Sequence, residues 1–509
     1  MAQSDLTQPA RAAFDDIQGL VRFGHAHLTE ASFVLSRIED AAAARAWLAA
    51  APVTSARDSH PLPDTALQIA FTSGGLRRMG LAEDAITGFS DEFLSGMAGE
   101  DNRSRRLGDI GENSPSLWAW GGPGYEPDLL VMLYARPGGL AAWTETVRGA
   151  MWPTAFSTVA TLSTNRLGDT GDGLSREPFG FVDGIGQPEL DWDGERRTGV
   201  TELTYGNRVS LGEFVLGYRN EYGNFTDRPL LAPATDQKNL LPRAADDPGK
   251  CDLGRNGTYL VLRDLQQDVR GFWQYLERQA NLTGAARQRL AEAMVGRTMA
   301  GEPLVALAEQ PIAGVEPDDR LNHFTFQADP YGMDCPLGAH IRRANPRNAD
   351  LPDGAAGLLS RLTRMFGYGT RHARDDLIAP TRFHRLLRRG RAYGILVPDD
   401  EALHPASPGE EIGLLFVCLN ANISRQFEFV QTAWAAGTKF GGLTQESDPL
   451  LGNRQPVAGC PVTGNFSVPQ RSGANLRLRE VPQFVTVRGG AYFFLPSLSA
   501  LRYLASLGD

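Results

Sequence analysis

The chain has 509 residues, 42% of them apolar and 22% charged, a composition that packs into globular domains and a length that exceeds one ordinary core. Its formal net charge of -10 excludes general affinity for nucleic acid, because phosphate recognition needs a large basic surface. Cys251, Cys335, Cys418 and Cys460 lie far apart and form neither CxxC nor CxxCH, which excludes a zinc ribbon and any thioether-attached prosthetic group.

The first residues, MAQSDLTQPARAAFDD, show no basic region ahead of an apolar stretch and no twin arginine, and no apolar run reaches membrane length. The expected location is therefore reducing and cytoplasmic, with no membrane partner. Alternation predicts a strand over 32–38, and an alanine-rich helix follows over 39–50. Further strands are expected at 66–72, 129–134 and 154–162, with a helix over 140–151. That is a βαβ-βαβ order with an insertion, the pattern of a ferredoxin-like α+β domain.

The polar stretch 232–257 contains Pro242, Asp246-Asp247-Pro248-Gly249 and Asn256-Gly257, and has the composition of a linker. A second domain then begins. Residues 258–263 are strand-like, and Val269, Phe272, Trp273 and Leu276 place one apolar stripe on a helix. Strands are expected at 392–397, 412–419 and 484–495, and Ser497 is placed to cap a last helix running to 507. The Gly-, Pro- and Asn-rich segment 442–475 is expected to be a long surface loop. The division is thus 1–231, a linker over 232–257, and 258–509, with no internal repeat visible.

Three segments carry candidate chemistry. Gly338 to Asn345 reads GAHIRRAN and holds His340, whose neutral imidazole could ligate iron, with Arg342, Arg343 and Arg347 close behind. The turn Gly180-Phe181-Val182-Asp183-Gly184 presents a carboxylate between phenylalanines, and its glycines permit a close backbone approach. The run Arg388-Arg389-Gly390-Arg391-Ala392-Tyr393-Gly394 presents guanidinium groups able to stabilise developing negative charge. Taken singly, each has an ordinary explanation: a hydrogen-bonded histidine in a basic loop, an Asp-Gly turn, a solvated basic edge. His25-x-His27 lacks acidic or cysteine partners and is assigned no metal. Tryptophans 47, 118, 120, 143, 152, 192, 273 and 434 are expected mostly in the core.

Together and in this order the three segments resemble the dye-decolourising (DyP-type) haem peroxidases. The resemblance runs from Asp16-Ile17-Gln18-Gly19 to Phe493-Phe494-Leu495-Pro496-Ser497-Leu498. It implies a pair of ferredoxin-like domains, with one non-covalent b-type haem in the second. It implies His340 as the axial ligand, Asp183 and Arg388 as the acid–base and charge-stabilising groups above the ring, and arginines 342, 343 and 347 for the propionates. Leu414 and Phe416 would form a dry ceiling over the peroxide. The substrates implied are hydrogen peroxide and a dye, a phenol or Mn(II), oxidised in one-electron steps. Arg388 fits the family's arginine better than Arg389, although Ala392 stands where many relatives have proline. In many relatives a downstream acid hydrogen-bonds the ligating histidine; the matching position here is Asn422, which puts that tuning in question. Two rival readings are a haem carrier without turnover, which would need His340 but not the Asp183 and Arg388 pair, and a basic-loop RNA-binding protein on the same fold, for which the expected exposed aromatic motifs are missing and the net charge is wrong.

Overall fold

A computed structural model describes residues 12–164, 175–195, 206–279, 284–307, 320–347, 381–407, 409–457 and 460–508. The first half contributes β1 (Glu30–Ile38), α1 (Ala41–Ala50), β2 (Thr65–Phe71), β3 (Leu129–Ala135), α2 (Leu140–Arg148) and β4 (Phe156–Thr164). Local chemistry explains these elements. In β1, Ala31, Phe33 and Leu35 pack on one side of the sheet, while Val34 and Ile38 pack on the other, as strand alternation requires. Asp40 caps α1 by accepting from the Ala43 N–H at 2.8 Å. Helix α2 stops sooner than its apolar pattern suggests, because Gly149 turns the chain at φ +54°.

The second half contributes β5 (Thr258–Gln267), α3 (Val269–Arg278), α4 (Ala285–Val295), α5 (His340–Ala344), β6 (Leu387–Arg388), β7 (Arg391–Tyr393), β8 (Gly413–Asn420), β9 (Val485–Leu495) and α6 (Leu498–Ala505). Gly394, at φ +96°, ends β7 three residues into the strand expected over 392–397. Ser497 accepts from the Ala500 N–H and starts α6, which ends at Ala505 rather than 507.

Strands run β6-β8-β5-β9-β2-β3-β1-β4 in one nine-stranded sheet, with β7 also paired to β8. Every pairing in it is antiparallel. Each half has the ferredoxin-like order: β1 lies between β3 and β4, and β5 lies between β8 and β9, with the short β6 and β7 together taking one strand's place beside β8. The halves join where Phe494 of β9 pairs with Phe71 of β2. Gln18, fully buried, clasps this seam: its amide donates to Ile69 O and Pro496 O, both at 2.8 Å. The far edges also approach, with β7 lying against β4.

Two stretches that read as polar and open are packed. In 232–257, Asp236, Leu241, Ala244, Cys251, Asp252 and Leu253 are buried, and Arg228 pairs with Asp252 at 2.7 Å. The segment expected as a surface loop, 442–475, buries Glu446, Ser447, Asp448, Leu450 and Phe466. Turn-forming residues in both satisfy buried backbone rather than water, which composition does not distinguish. Among the described residues, no helix is long and apolar enough to cross a membrane.

Phe494 is fully buried and packs edge-on against Phe89 at the joint between the halves. Phe494→Ala should therefore lower stability by about 3–5 kcal/mol and Phe494→Leu by clearly less. Denaturant unfolding followed by tryptophan fluorescence measures both, and equal loss in the two variants would contradict the packing.

Candidate active site

One face of the second half's sheet walls a deep cavity. Alternation aims Arg263, Leu265 and Gln267 of β5, Leu414 and Phe416 of β8, and Val485 and Val487 of β9 into it. A turn, Glu177 to Gly186, closes one side with Phe179, Phe181 and Asp183. The remaining wall comes from the end of α4, from α5, and from a π-helical segment, 424–435, that contributes Phe427, Val430, Gln431 and Ala435. Wide π turns recur at functional sites because they offset side chains that an α-helix would place elsewhere.

His340 opens α5 and faces the cavity with about a quarter of its side chain exposed. Its Nδ1 bonds to Asp448 Oδ2 at 2.9 Å. Asp448 is fully buried, and its Oδ1 accepts the N–H groups of Leu450 and Leu451 at 2.9 and 3.0 Å. Burial opposes its ionisation, but the imidazole, Arg343 and these N–H groups prevail and hold its carboxyl down to about 2. An ionised acceptor at Nδ1 makes that nitrogen the donor and leaves the Nε2 lone pair for a metal. The acid that Asn422 was expected to have replaced is thus present, 108 residues along the chain from His340. Asn422 instead bonds locally just ahead of the π-helical segment, accepting from Arg425 N–H at 2.8 Å.

Asp183 sits between Gly180 (φ +100°) and Gly184 (φ +86°), conformations open to glycine. Arg388 Nη1 donates to Asp183 Oδ1 at 3.0 Å, and both side chains are about one-third exposed to the cavity. Gln187 locks the two segments together: its Oε1 accepts from Arg388 N–H at 3.0 Å and its Nε2 donates to Arg388 O at 3.1 Å. Burial raises the Asp183 carboxyl, but Arg388, the Gly184 N–H and His340 outweigh it, so Asp183 ionises more readily than an ordinary aspartate. Arg389 points away, to Leu20 O at 2.8 Å and Val21 O at 3.0 Å, and Arg391 reaches Leu28 O and His25 O, both at 2.7 Å. The arginine run is therefore no solvated basic edge, and Arg388, not Arg389, enters the cavity.

Arg342 and Arg343 do not line the cavity, which corrects their expected pairing with propionates. Arg342 is held by Asp329 at 2.9 Å and Cys335 O at 2.6 Å. Arg343 is held by the carbonyls of Gly338, Trp434, Gly437 and Glu446. Arg347 does line it, stacked 3.8 Å from the Phe324 centroid, and Arg297, after α4, and Arg385 join it. Arg297 donates only to carbonyls, those of Gly301 and Leu321, among the described residues, and burial with Arg347 and Arg388 nearby pulls its pKa to about 9. A buried cation answered only by carbonyls, as Arg297 is, calls for an anion. An apolar slot with His340 at its wall and arginines 297, 347, 385 and 388 around it fits haem, whose propionates would supply that charge. His25 is buried beside Tyr134, with burial pulling its pKa to about 3, and no three-residue metal cluster occurs among the described residues.

Local signals could not reveal Asp448, Arg297 or the π-helical wall. Asp448 lies in a stretch that reads as a loop, and Arg297 follows Gly296 with no motif around it.

No family model matches the chain. It is 30% identical over 448 residues to a multifunctional dye peroxidase of an Amycolatopsis species, covering 84% of this chain and 81% of that one. It is 28% identical to a dye-decolorizing peroxidase of Auricularia auricula-judae, over 96% of this chain and 86% of the relative. A crystal structure of a fungal DyP-type peroxidase from Auricularia auricula-judae superposes with a TM-score of 0.70 at 26% identity, spanning 98% of this chain and all of that one.

His340→Ala should abolish the Soret band on titration with haem. Asp448→Asn should keep the band but weaken haem affinity by about 10- to 100-fold, because the amide cannot enforce the Nδ1 proton. Spectrophotometric titration reads both, and an unaltered His340→Ala spectrum would remove the ligand assignment.

Proposed function

As a member of the dye-decolourising peroxidase family, the protein is an oxidoreductase that uses hydrogen peroxide, and we propose how its own residues serve the oxidation of dyes and phenolic compounds. The observation that carries the proposal is the Asp183–Arg388 pair at 3.0 Å, in the cavity that His340 also lines. A haem carrier has no use for an acid–base pair in that position.

His340 Nε2 would hold a non-covalent haem b, whose iron would supply the redox chemistry for peroxide and a one-electron reductant. Non-covalent attachment is supported by the absence of CxxCH and by cavity walls free of cysteine among the described residues. Asp183, paired with Arg388, would carry a proton from one peroxide oxygen to the other, so that the O–O bond breaks and the protonated oxygen leaves as water. The Arg388 guanidinium stabilises the charge that grows on the departing oxygen. Leu414 and Phe416 keep that region dry, which strengthens both electrostatic effects. Asp448, by accepting the Nδ1 proton, makes His340 a stronger donor to the iron. The four cysteines are unpaired thiols, which supports a reducing, cytoplasmic setting.

At equal haem occupancy, Asp183→Asn should slow the peroxide-driven spectral change in stopped flow by about a hundredfold or more. Equal rates in variant and parent would reduce Asp183 to a turn residue.

Arg388→Leu should cost on the order of 3 kcal/mol of transition-state stabilisation, whereas Arg389→Leu should leave the peroxide step intact and weaken folding. The two also separate by pH. Arg388 lowers the Asp183 pKa, so its removal raises that pKa and moves the acid limb of the rate profile to higher pH. A limb that stays in place in Arg388→Leu would contradict the pairing.

A further inference from the structure

Asp183 is carried on a turn outside the sheet, so its carboxylate stays in place only if the turn is tied to something rigid. Glu177, six residues upstream, makes that tie. Its Oε1 accepts the Phe181 N–H at 3.0 Å. Its Oε2 accepts the Phe179 N–H at 3.0 Å and the side-chain amide of Gln267, at the end of β5, at 3.1 Å. The backbone closes the same loop, Gly180 N–H to Glu177 O and Glu177 N–H to Phe181 O, both at 2.9 Å. Glu177 and Gln267 both line the cavity, and among the described residues Glu177 has no cationic partner.

We propose that Glu177 is a positioning residue for Asp183, holding the turn against β5 and communicating its own charge state to the catalytic carboxylate. The inference rests on the reading of Asp183 as the group that moves the peroxide proton.

Three donors converge on two oxygens, which suits a carboxylate and not an amide, whose NH2 would face one of the N–H groups. Gln267 can serve both charge states. Its Nε2 donates to the ionised carboxylate, and its Oε1, buried without a partner, can accept from the protonated one once the amide turns over. Burial raises the Glu177 carboxyl to about 7, and the neighbouring Asp183 charge adds to the rise. The charged groups around it are Asp183 and Arg176 on its own segment, Arg388 from β6, Arg297 after α4 and His340 from α5. As pH rises through 7, Glu177 gains a negative charge beside Asp183. Like charge makes Asp183 a stronger proton acceptor, so peroxide cleavage should accelerate.

The test is the stopped-flow rate of the peroxide-driven spectral change from pH 4 to 9, with haem-loaded parent, Glu177→Gln, Glu177→Asp and Asp183→Asn matched for Soret absorbance. The parent should quicken by roughly three- to tenfold between pH 6 and pH 8, with an inflection near 7. Glu177→Gln should be slower and flat across that range, while Glu177→Asp should keep an inflection. A merely structural Glu177 would lower the rate by one factor at every pH and leave the inflection in Glu177→Gln, which overturns the proposal. A parent rate that is flat or falls across neutrality does the same. Should Asp183→Asn match the parent, the Asp183 reading fails and takes the inference with it. Should Asp183→Asn be slow while Glu177→Gln keeps the parent profile, the inference alone fails.

Discussion

Buried guanidinium groups bonded to backbone carbonyls hold the cavity together. Between the strands and helices that wall it run loops, whose carbonyls have no ladder or helix to satisfy them, and a buried carbonyl left unbonded is costly. Arginine answers this with five donors on one rigid fork. Arg343 alone joins Gly338, Trp434, Gly437 and Glu446, drawing α5, the π-helical segment and the 442–475 stretch together. Arg297, Arg347, Arg389 and Arg391 repeat the device at other corners. Of these, Arg297 and Arg347 bring their cations to the cavity itself, beside Arg385 and Arg388.

These cavity cations and the reactive pair have a common logic. Asp183 would resist ionisation in a dry pocket, yet the surrounding cations reverse the balance. On the other flank, Asp448 stays ionised under full burial because His340, Arg343 and two backbone N–H groups surround it. The same electrostatic field thus keeps two carboxylates charged where solvent cannot. Gln187 fixes the register between the Asp183 turn and β6 through two backbone bonds, so the position of Arg388 does not depend on its own long side chain alone.

The division of labour between sheet and loops follows from stiffness. The sheet supplies a wall whose side chains alternate at fixed spacing, so Leu414 and Phe416 stand in line with Leu265 and Arg263 opposite them. The Asp183 turn, which has to approach a ligand closely, is built from glycines and then restrained by side chains from the sheet. The Asp16-Ile17-Gln18-Gly19 string plays a different part. Gln18 closes the seam between the halves, and Asp16 accepts from Ser499 N–H at 2.7 Å and Asn256 Nδ2 at 2.7 Å, which couples the start of the chain to its end.

What the sequence by itself determined was everything with a local cause. Alternation over β1, the cap Ser497, and the stripe of Val269, Phe272, Trp273 and Leu276 each depend on neighbours within a turn or a strand. The long strings around Asp183 and His340 stood out through their resemblance to the dye-decolourising peroxidases, since each taken singly has an ordinary local explanation. Only the tertiary structure decided which way the flanking arginines face. Arg388 and Arg389 differ by strand parity, yet which side is the cavity depends on packing against residues more than two hundred positions away. Arg342 and Arg343 look like ligand contacts in the string and are structural ties in space, because Asp329 and Cys335 O hold the first and carbonyls some ninety or more positions away hold the second. Asp448 was invisible for the complementary reason: an acid in a glycine- and proline-rich stretch carries no mark until the chain folds it onto His340.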